Sequence, residues 1–129
     1  MEFDITFPGG KRVDAQINGW SIATDQAPRS GGEGSAPEPY MLFLASLGTC
    51  AGIYVLGFCQ SRELPTEGLR ITQHLEWEGH KLSRVRFDIH LPEGFPEKYR
   101  DAVVRAAEMC AVKRTLEEPP AFETRTLPA

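Results

Sequence analysis

From Pro39 to Ser61 the chain has no Asp, Glu, Lys or Arg. An uncharged run of that length is either a membrane span or a helix enclosed by protein. A span needs about 20 apolar residues, and Met41 to Cys59 comes close to that length. Several residues argue against a span. Thr49, Gln60 and Ser61 are polar, and Gly48, Gly52 and Gly57 dilute the apolar density. Glu33 and Glu38 precede the run, Arg62 and Glu63 follow it, and no basic cluster sets an orientation. The expectation is a helix that is apolar nearly all round and surrounded by protein, with no membrane partner. A chain of 129 residues suits one domain, 1–129. Enclosing such a helix on every side is a heavy demand for that domain, and this points to cover from a second copy.

Other scarcities narrow the function. Lys and Arg number 14 against 18 Asp and Glu, a net charge of −4. Without a basic stripe to neutralise phosphates, nucleic acid is not expected. Met1-Glu2-Phe3-Asp4 has neither the basic nor the apolar segment of a secretory signal. Three cysteines, an odd number without tight spacing, make no disulfide framework. A cytoplasmic location fits, where paired thiols are usually catalytic or redox-linked. His74, His80 and His90 match no compact metal motif and are expected at the surface, so no metal is expected. Gly31 to Gly34 lack the Lys-Ser or Lys-Thr of a phosphate cradle, and no cofactor is expected.

What remains is ordinary soluble patterning. Phe3, Ile5 and Phe7 alternate with polar residues, Pro8-Gly9-Gly10 turns the chain, and Val13, Ala15 and Ile17 resume the alternation. Residues 2–17 are thus predicted to form a hairpin. Asn18-Gly19 is a strong turn signal, followed by a third strand through Trp20, Ile22 and Thr24. Residues 25–37, rich in Pro, Gly and Ser, form a loop. The long helix is expected to start near Pro37 to Pro39, with Ser35 as N-cap and Glu38 as its capping-box partner, and to run to about Ser61. Leu69, Ile71, Leu75 and Trp77 share one strand face, broken only by Gln73, and Val85, Phe87, Ile89 and Leu91 share the next. Tyr99, Val103, Ala106, Ala107 and Cys110 recur at helical spacing, so a second helix is predicted over about 97–110. Phe122 to Leu127 reads as a short closing strand. The order of elements and the hairpins give an α+β fold with mainly antiparallel pairing.

The cysteines are the candidate chemistry. A thiolate, not a thiol, attacks peroxides and disulfides, and it needs positive charge or helix N–H groups nearby. Cys110 is followed within a turn by Lys113 and Arg114, whose planar fork stays charged. Cys50 lies mid-helix in apolar company. Cys59, nine residues on, points to nearly the opposite face and reads as packing. Cys50 and Cys110 each fall on the apolar side of a helix. They can form a disulfide if their Cβ atoms approach to about 4 Å.

Pro39-Tyr40-Met41-Leu42-Phe43-Leu44-Ala45-Ser46-Leu47-Gly48-Thr49-Cys50 resembles the helix motif of the OsmC/Ohr superfamily, the osmotically inducible and organic hydroperoxide resistance proteins. Cys110-Ala111-Val112-Lys113-Arg114-Thr115-Leu116 is similar to the second motif of that superfamily, Cys-Pro-Val-His-Arg-Thr-Leu. The Gly31–Gly34 approach fits as well, and the resemblance covers essentially the whole chain. It implies antiparallel sheets wrapped around two central helices in an intertwined homodimer. It also implies a thiol peroxidase acting on a small organic hydroperoxide, with Cys50 peroxidatic and Cys110 resolving. A dithiol reductant, lipoyl or thioredoxin-like, would reset the pair. Family peroxidases add an arginine from the first hairpin, here Arg12, and a helix acid. The acid's position falls on Tyr40 or Met41, neither acidic, which leaves Glu38 as the nearest carboxylate. Ala111 stands for the motif's proline and Lys113 for its histidine. A second reading stays open: a non-catalytic relative that binds a small apolar ligand in the dimer-interface cavity. On the peroxidase reading the apolar Phe43, Leu47, Tyr54 and Met109 are candidates, from helical spacing, to line an alkyl pocket near the sulfurs.

Overall fold

The computed structural model describes residues 1–129. The chain divides into two compact units, Met1–Ala45 and Ser46–Ala129. The fold is α+β, and both of its sheets are antiparallel.

The first unit carries a three-stranded sheet, β1 (Asp4–Gly9), β2 (Arg12–Ile17) and β3 (Trp20–Ile22), with β2 in the middle. Thr6 pairs with Asp14 but Gly9 with Arg12, so β1 holds one extra residue in the Phe7-Pro8 stretch. Such a bulge suits Pro8, which has no N–H to give to a ladder. Asn18 and Gly19 both take positive φ (47° and 79°), the requirement of the tight turn their sequence announces. β3 ends at Ile22, short of the expected Thr24, yet Val13 N–H still donates to Thr24 O at 3.2 Å. Thr24 continues the attachment with its side chain, its hydroxyl donating to Val13 O.

The loop between β3 and the long helix is knit by polar bonds. Asp25 is 1% exposed, and its carboxylate accepts from Gln26 N (2.7 Å), Ser35 N (3.0 Å) and Ser35 Oγ (2.6 Å). Ala27 N donates to Glu38 Oε1 at 3.2 Å, and Gly34 N to Gln26 O at 3.0 Å. The expected capping box is therefore not made. Ser35 and Glu38 instead bond to Asp25 and Ala27 of this loop. Gly32 is obligatory, because a Cβ there would lie 2.0 Å from Gln26 O.

Helix α1 (Pro39–Ser61) begins at the second of the two prolines flanking Glu38. It ends in a Schellman motif: Glu63 N donates to Gln60 O, Leu64 N to Cys59 O, and Glu63 takes φ 53°. Leu44, Leu47, Ala51, Val55 and Cys59 are buried along it, a stripe at spacings of three and four. In length and composition α1 is apolar enough to cross a membrane, and 28% of its most apolar window is buried.

In the second unit, β4 (Arg70–Glu78) and β5 (Lys81–His90) form a hairpin turned at Gly79-His80. Ile71 faces Ile89 and Leu75 faces Val85, the expected apolar pairs. Glu76 pairs with Arg84 but Trp77 with Leu82, so Ser83 is extra on β5 and donates from Oγ to Glu76 O. The bulge turns Leu82 onto the face of Val85, which strict alternation would deny it. Gln73 sits on the apolar face because Gly48 leaves room for it: a Cβ at Gly48 would lie 2.4 Å from Gln73 Oε1. A Cβ at Gly52 would make only an ordinary contact, 3.9 Å, with Ile71 Cδ1. The close approach of strand β4 to α1 therefore falls at Gly48.

The second helix differs from the expected 97–110. A single 3-10 turn, Glu97–Tyr99, leads into α2 (Arg100–Glu108), and the helix stops before Met109 and Cys110. A third helix, α3 (Ala111–Glu117), follows. The closing strand expected over 122–127 does not form; these residues are exposed and irregular, because their alternation finds no strand to pair with. Ala51, Val55, Cys59, Phe95, Val103 and Ala107 make the core of this unit.

The glycines give a stability contrast. Gly32→Ala forces backbone apart and should cost about 1–3 kcal/mol. Gly48→Ala meets only the movable end of Gln73 and should cost less than about 1 kcal/mol. Urea unfolding of both variants, with an unchanged slope, checks the order.

Candidate functional site

Cys50 lies on α1 half-buried, and nine residues on Cys59 lies on the opposite face, fully buried in the core. At about 100° per residue the two sulfurs are half a turn apart. Burial pushes the Cys59 thiol above its ordinary value, with Arg62 pulling weakly the other way. Cys59 is thus a packing residue, as its spacing implies.

A second stripe of α1 carries Cys50, Tyr54 and Phe58, each four residues from the last, and Arg62 follows at the same spacing just past the helix end. Arg62 lies over the Phe58 ring at 3.8 Å from its centre, and Phe58 meets Tyr99 edge-on at 6.0 Å between centres. Tyr54 Oη accepts a hydrogen bond from Arg114 Nη2 at 3.2 Å. Beside this stripe an open groove of about 430 Å³ is lined by Ile53, Tyr54, Gly57, Phe58 and Ser61. Of the residues expected to line an apolar pocket, only Tyr54 does so in this groove. Leu47 is buried, and Phe43 and Met109 are exposed.

Cys110 is 3% exposed and stands in the break between α2 and α3. Its backbone is extended (φ −61°, ψ 144°), and its carbonyl accepts from Arg114 N at 3.1 Å. Cys50 and Cys110 are both free thiols. The second unit holds both cysteines, and the Arg114–Tyr54 bond joins their segments one turn beyond each.

Arg12 and Glu38 belong to the first unit. Arg12 Nη2 pairs with Asp14 Oδ2 at 2.9 Å, and the nearly buried Asp14 also accepts from Thr24 N at 3.4 Å. Glu38 accepts from Ala27 N and so anchors the loop. Asp14, Asp25 and Tyr40 are the residues whose placement sequence reasoning did not supply. Tyr40 stands at a position of the missing helix acid and packs its ring against Phe43 at 5.8 Å. The histidines lie outside the core. His74 Nε2 is 3.0 Å from Asp88 Oδ2, and His90 Nε2 is 2.9 Å from Thr72 Oγ1. Burial pushes the Asp88 carboxyl up, but Arg86 and His74 outweigh it and hold the group below its ordinary value. No three His, Cys, Asp or Glu residues gather closely enough to hold a metal ion.

These features have a family. The model of the OsmC-like proteins matches residues 32–125, and the chain belongs to that family. No curated protein matches it. Among solved structures, it is similar to a Psychrobacter arcticus 273-4 protein named for an osmotic stress induced and detoxification response. The two are 21% identical with a TM-score of 0.70, covering 88% of this chain and 85% of that one. It is also similar to the Legionella pneumophila organic hydroperoxide resistance protein OsmC. There the identity is 18% and the TM-score 0.56, covering 90% and 89% of the two chains. At these identities the likeness speaks for the fold.

The Asp25 network has a pH signature. Its carboxyl is held at about 2, against an ordinary 3.8, first by the Ser35 hydroxyl and then by backbone N–H groups. A carboxyl lowered on folding lends stability that is complete above pH 3.8 and lost as pH falls toward 2. Ser35→Ala weakens the hold, so the folded carboxyl moves up toward its ordinary value. Stability near neutral pH should fall, and the acid slope below pH 4 should flatten. Unfolding midpoints measured from pH 7 down to pH 2 check this.

Proposed function

We propose that this OsmC-like protein is a thiol-dependent peroxidase that reduces organic hydroperoxides through Cys50 and Cys110. The Arg114–Tyr54 hydrogen bond is the observation that supports this most directly. It connects the Cys50 helix to the Cys110 segment one turn past each sulfur. The half-buried Cys50 and an apolar groove that starts one turn further along α1, at Ile53 and Tyr54, suit an organic rather than an inorganic peroxide. The named role of the Legionella relative in hydroperoxide resistance points the same way.

In this reading the Cys50 thiolate attacks one peroxide oxygen. The O–O bond breaks, the alkoxide takes a proton and leaves as alcohol, and Cys50 becomes a sulfenic acid. Cys110 then attacks the Cys50 sulfur; an S–S bond forms, the S–O bond breaks, and water leaves. A dithiol reductant exchanges with that disulfide, is itself oxidised, and returns both thiols. Titration of reduced protein with cumene hydroperoxide should consume one equivalent per chain and yield a Cys50–Cys110 peptide by mass spectrometry. Cys50→Ser should abolish turnover, and Cys110→Ser should leave a single-turnover sulfenic acid. If both thiols stay reduced and the peroxide survives, the reading fails. Arg12 carries its family role as part of the proposal: Arg12→Met should slow the first step at least tenfold, and an unchanged rate removes it from the mechanism.

We also propose that a second copy covers the apolar surface that one chain leaves bare on α1. Met41 is 56% exposed and Ile53 59% exposed. Sedimentation without detergent should give twice 14.3 kDa. A 14.3 kDa species, or protein found only with lipid, overturns this.

The same groove favours one other reading, a binder of small apolar ligands in which the thiols are incidental. It predicts ligand affinity unaffected by Cys50→Ser.

A further inference from the structure

We infer that the Tyr54–Arg114 hydrogen bond is a clamp that brings the Cys110 sulfur to Cys50, so that Tyr54 and Arg114 are positioning residues for disulfide closure. This rests on the peroxidase reading for its purpose, though not for its geometry.

Helix α3 has seven residues and none of them is buried. A helix that short is marginal in water, so its position depends on what ties it down. Before it the chain leaves the helical path. Met109 and Cys110 separate α2 from α3, and the Cys110 backbone is extended. α2 is fixed, since Val103 and Ala107 lie in the core with Ala51, Val55 and Cys59 of α1. α3 is not fixed in that way. Ala111, at its first position, leaves φ free where a proline would set it.

Arg114 supplies the tie. Its N–H donates to the Cys110 carbonyl, so the residue that reaches out is bonded through its backbone to the cysteine. Its guanidinium donates to the Tyr54 hydroxyl at 3.2 Å. Tyr54 is four residues beyond Cys50 on the same face of α1, about 6 Å along the axis. The bond therefore crosses between the two segments at matching places, one turn beyond each cysteine. Closing a disulfide requires Cβ atoms about 3.5–4.5 Å apart. The rate and equilibrium of closure scale with how much of the time the segments hold that approach. A bond that holds α3 against α1 raises that fraction without touching peroxide.

The clamp is read by equilibrating the full-length protein in glutathione redox buffers. There the Cys50–Cys110 disulfide and two glutathione thiols form from the protein dithiol and glutathione disulfide. This reports the effective concentration of one protein thiol at the other, with no peroxide present. Tyr54→Phe and Arg114→Met should each lower it about threefold, the scale of a lost hydrogen bond that stands in water. The double variant should fall no further than either single, because both remove the same bond. Ala111→Pro in the Tyr54→Phe background should recover part of the loss by pre-setting α3, as the extended Cys110 backbone suits the residue before a proline. With cumene hydroperoxide, the Tyr54→Phe protein should accumulate dimedone-trappable Cys50 sulfenic acid that the natural chain does not. Single variants at the natural value, losses that add in the double, or a loss that Ala111→Pro leaves unchanged would overturn the clamp. If the glutathione results hold while peroxide leaves Cys50 untouched, the peroxidase reading fails alone. If peroxide closes the disulfide at the same rate in every variant, the clamp fails alone.

Discussion

Helix α1 has no charged side to offer water, and much of the structure follows from how its faces are used. A helix with one apolar stripe needs one partner; a helix apolar nearly all round needs partners on every side. The second unit answers for one side. Ala51, Val55 and Cys59 enter its core with Val103 and Ala107. Gly48 lowers the helix surface so that β4 can come close, and the only polar residue on the strand's apolar face, Gln73, fits against the glycine that has no side chain. The stripe that remains, Cys50 to Phe58, carries rings and a sulfur instead of charges. It is the stripe on which the groove and the Arg114 bond are found.

The first unit is held together by different means. Its buried residues are Asp14, Thr24, Asp25 and Leu44, three of them polar or charged. A unit of this size cannot enclose enough apolar surface to stabilise itself by burial alone. Asp25 and Glu38 instead collect backbone N–H groups that a Gly- and Pro-rich loop cannot pair with itself. Phe3, Ile5, Phe7 and Trp20 meanwhile remain more than half exposed. These apolar side chains are left bare beside a polar framework whose groups are bonded to one another.

Much of this was legible in the sequence, for physical reasons that can be named. Asn18-Gly19 specifies its turn because few other pairs accept positive φ twice in succession. The uncharged run gave α1 to within two residues, since hydropathy and length leave little choice. The two cysteine motifs gave the family. What escaped depends on contacts between distant residues. Phe122 to Leu127 alternate as a strand should, but alternation supplies a face and not a partner. Ser35 and Glu38 have the spacing of a capping box, yet Asp25 and Ala27 offer them stronger bonds ten or more residues back in the chain. The break at Cys110 was hidden because Val103, Ala107 and Cys110 keep helical spacing although the backbone does not. The candidate site divides in the same way. Its sulfurs could be read from motifs, whereas the partner of Arg12, Asp14 on its own strand, required the register.

The three cysteines show how one helix can separate packing from chemistry. Cys59 and Cys50 differ by half a turn, and that angle alone gives them opposite surroundings. The core face raises the Cys59 thiol, because a buried thiolate has lost its water and gained little in return. A thiol held in that form is a poor nucleophile toward either a peroxide or a disulfide. On a flexible chain, a third thiol within ten residues of a redox-active one would compete for every sulfenic acid and scramble each disulfide. A helix prevents this in the simplest way. Nine residues along a rigid 100° spiral turn the third sulfur away from Cys50, and the packing of Val55 and Val103 around it keeps it there. Proposed catalysis at Cys50 thus depends on the stiffness of α1 as much as on any group beside the sulfur.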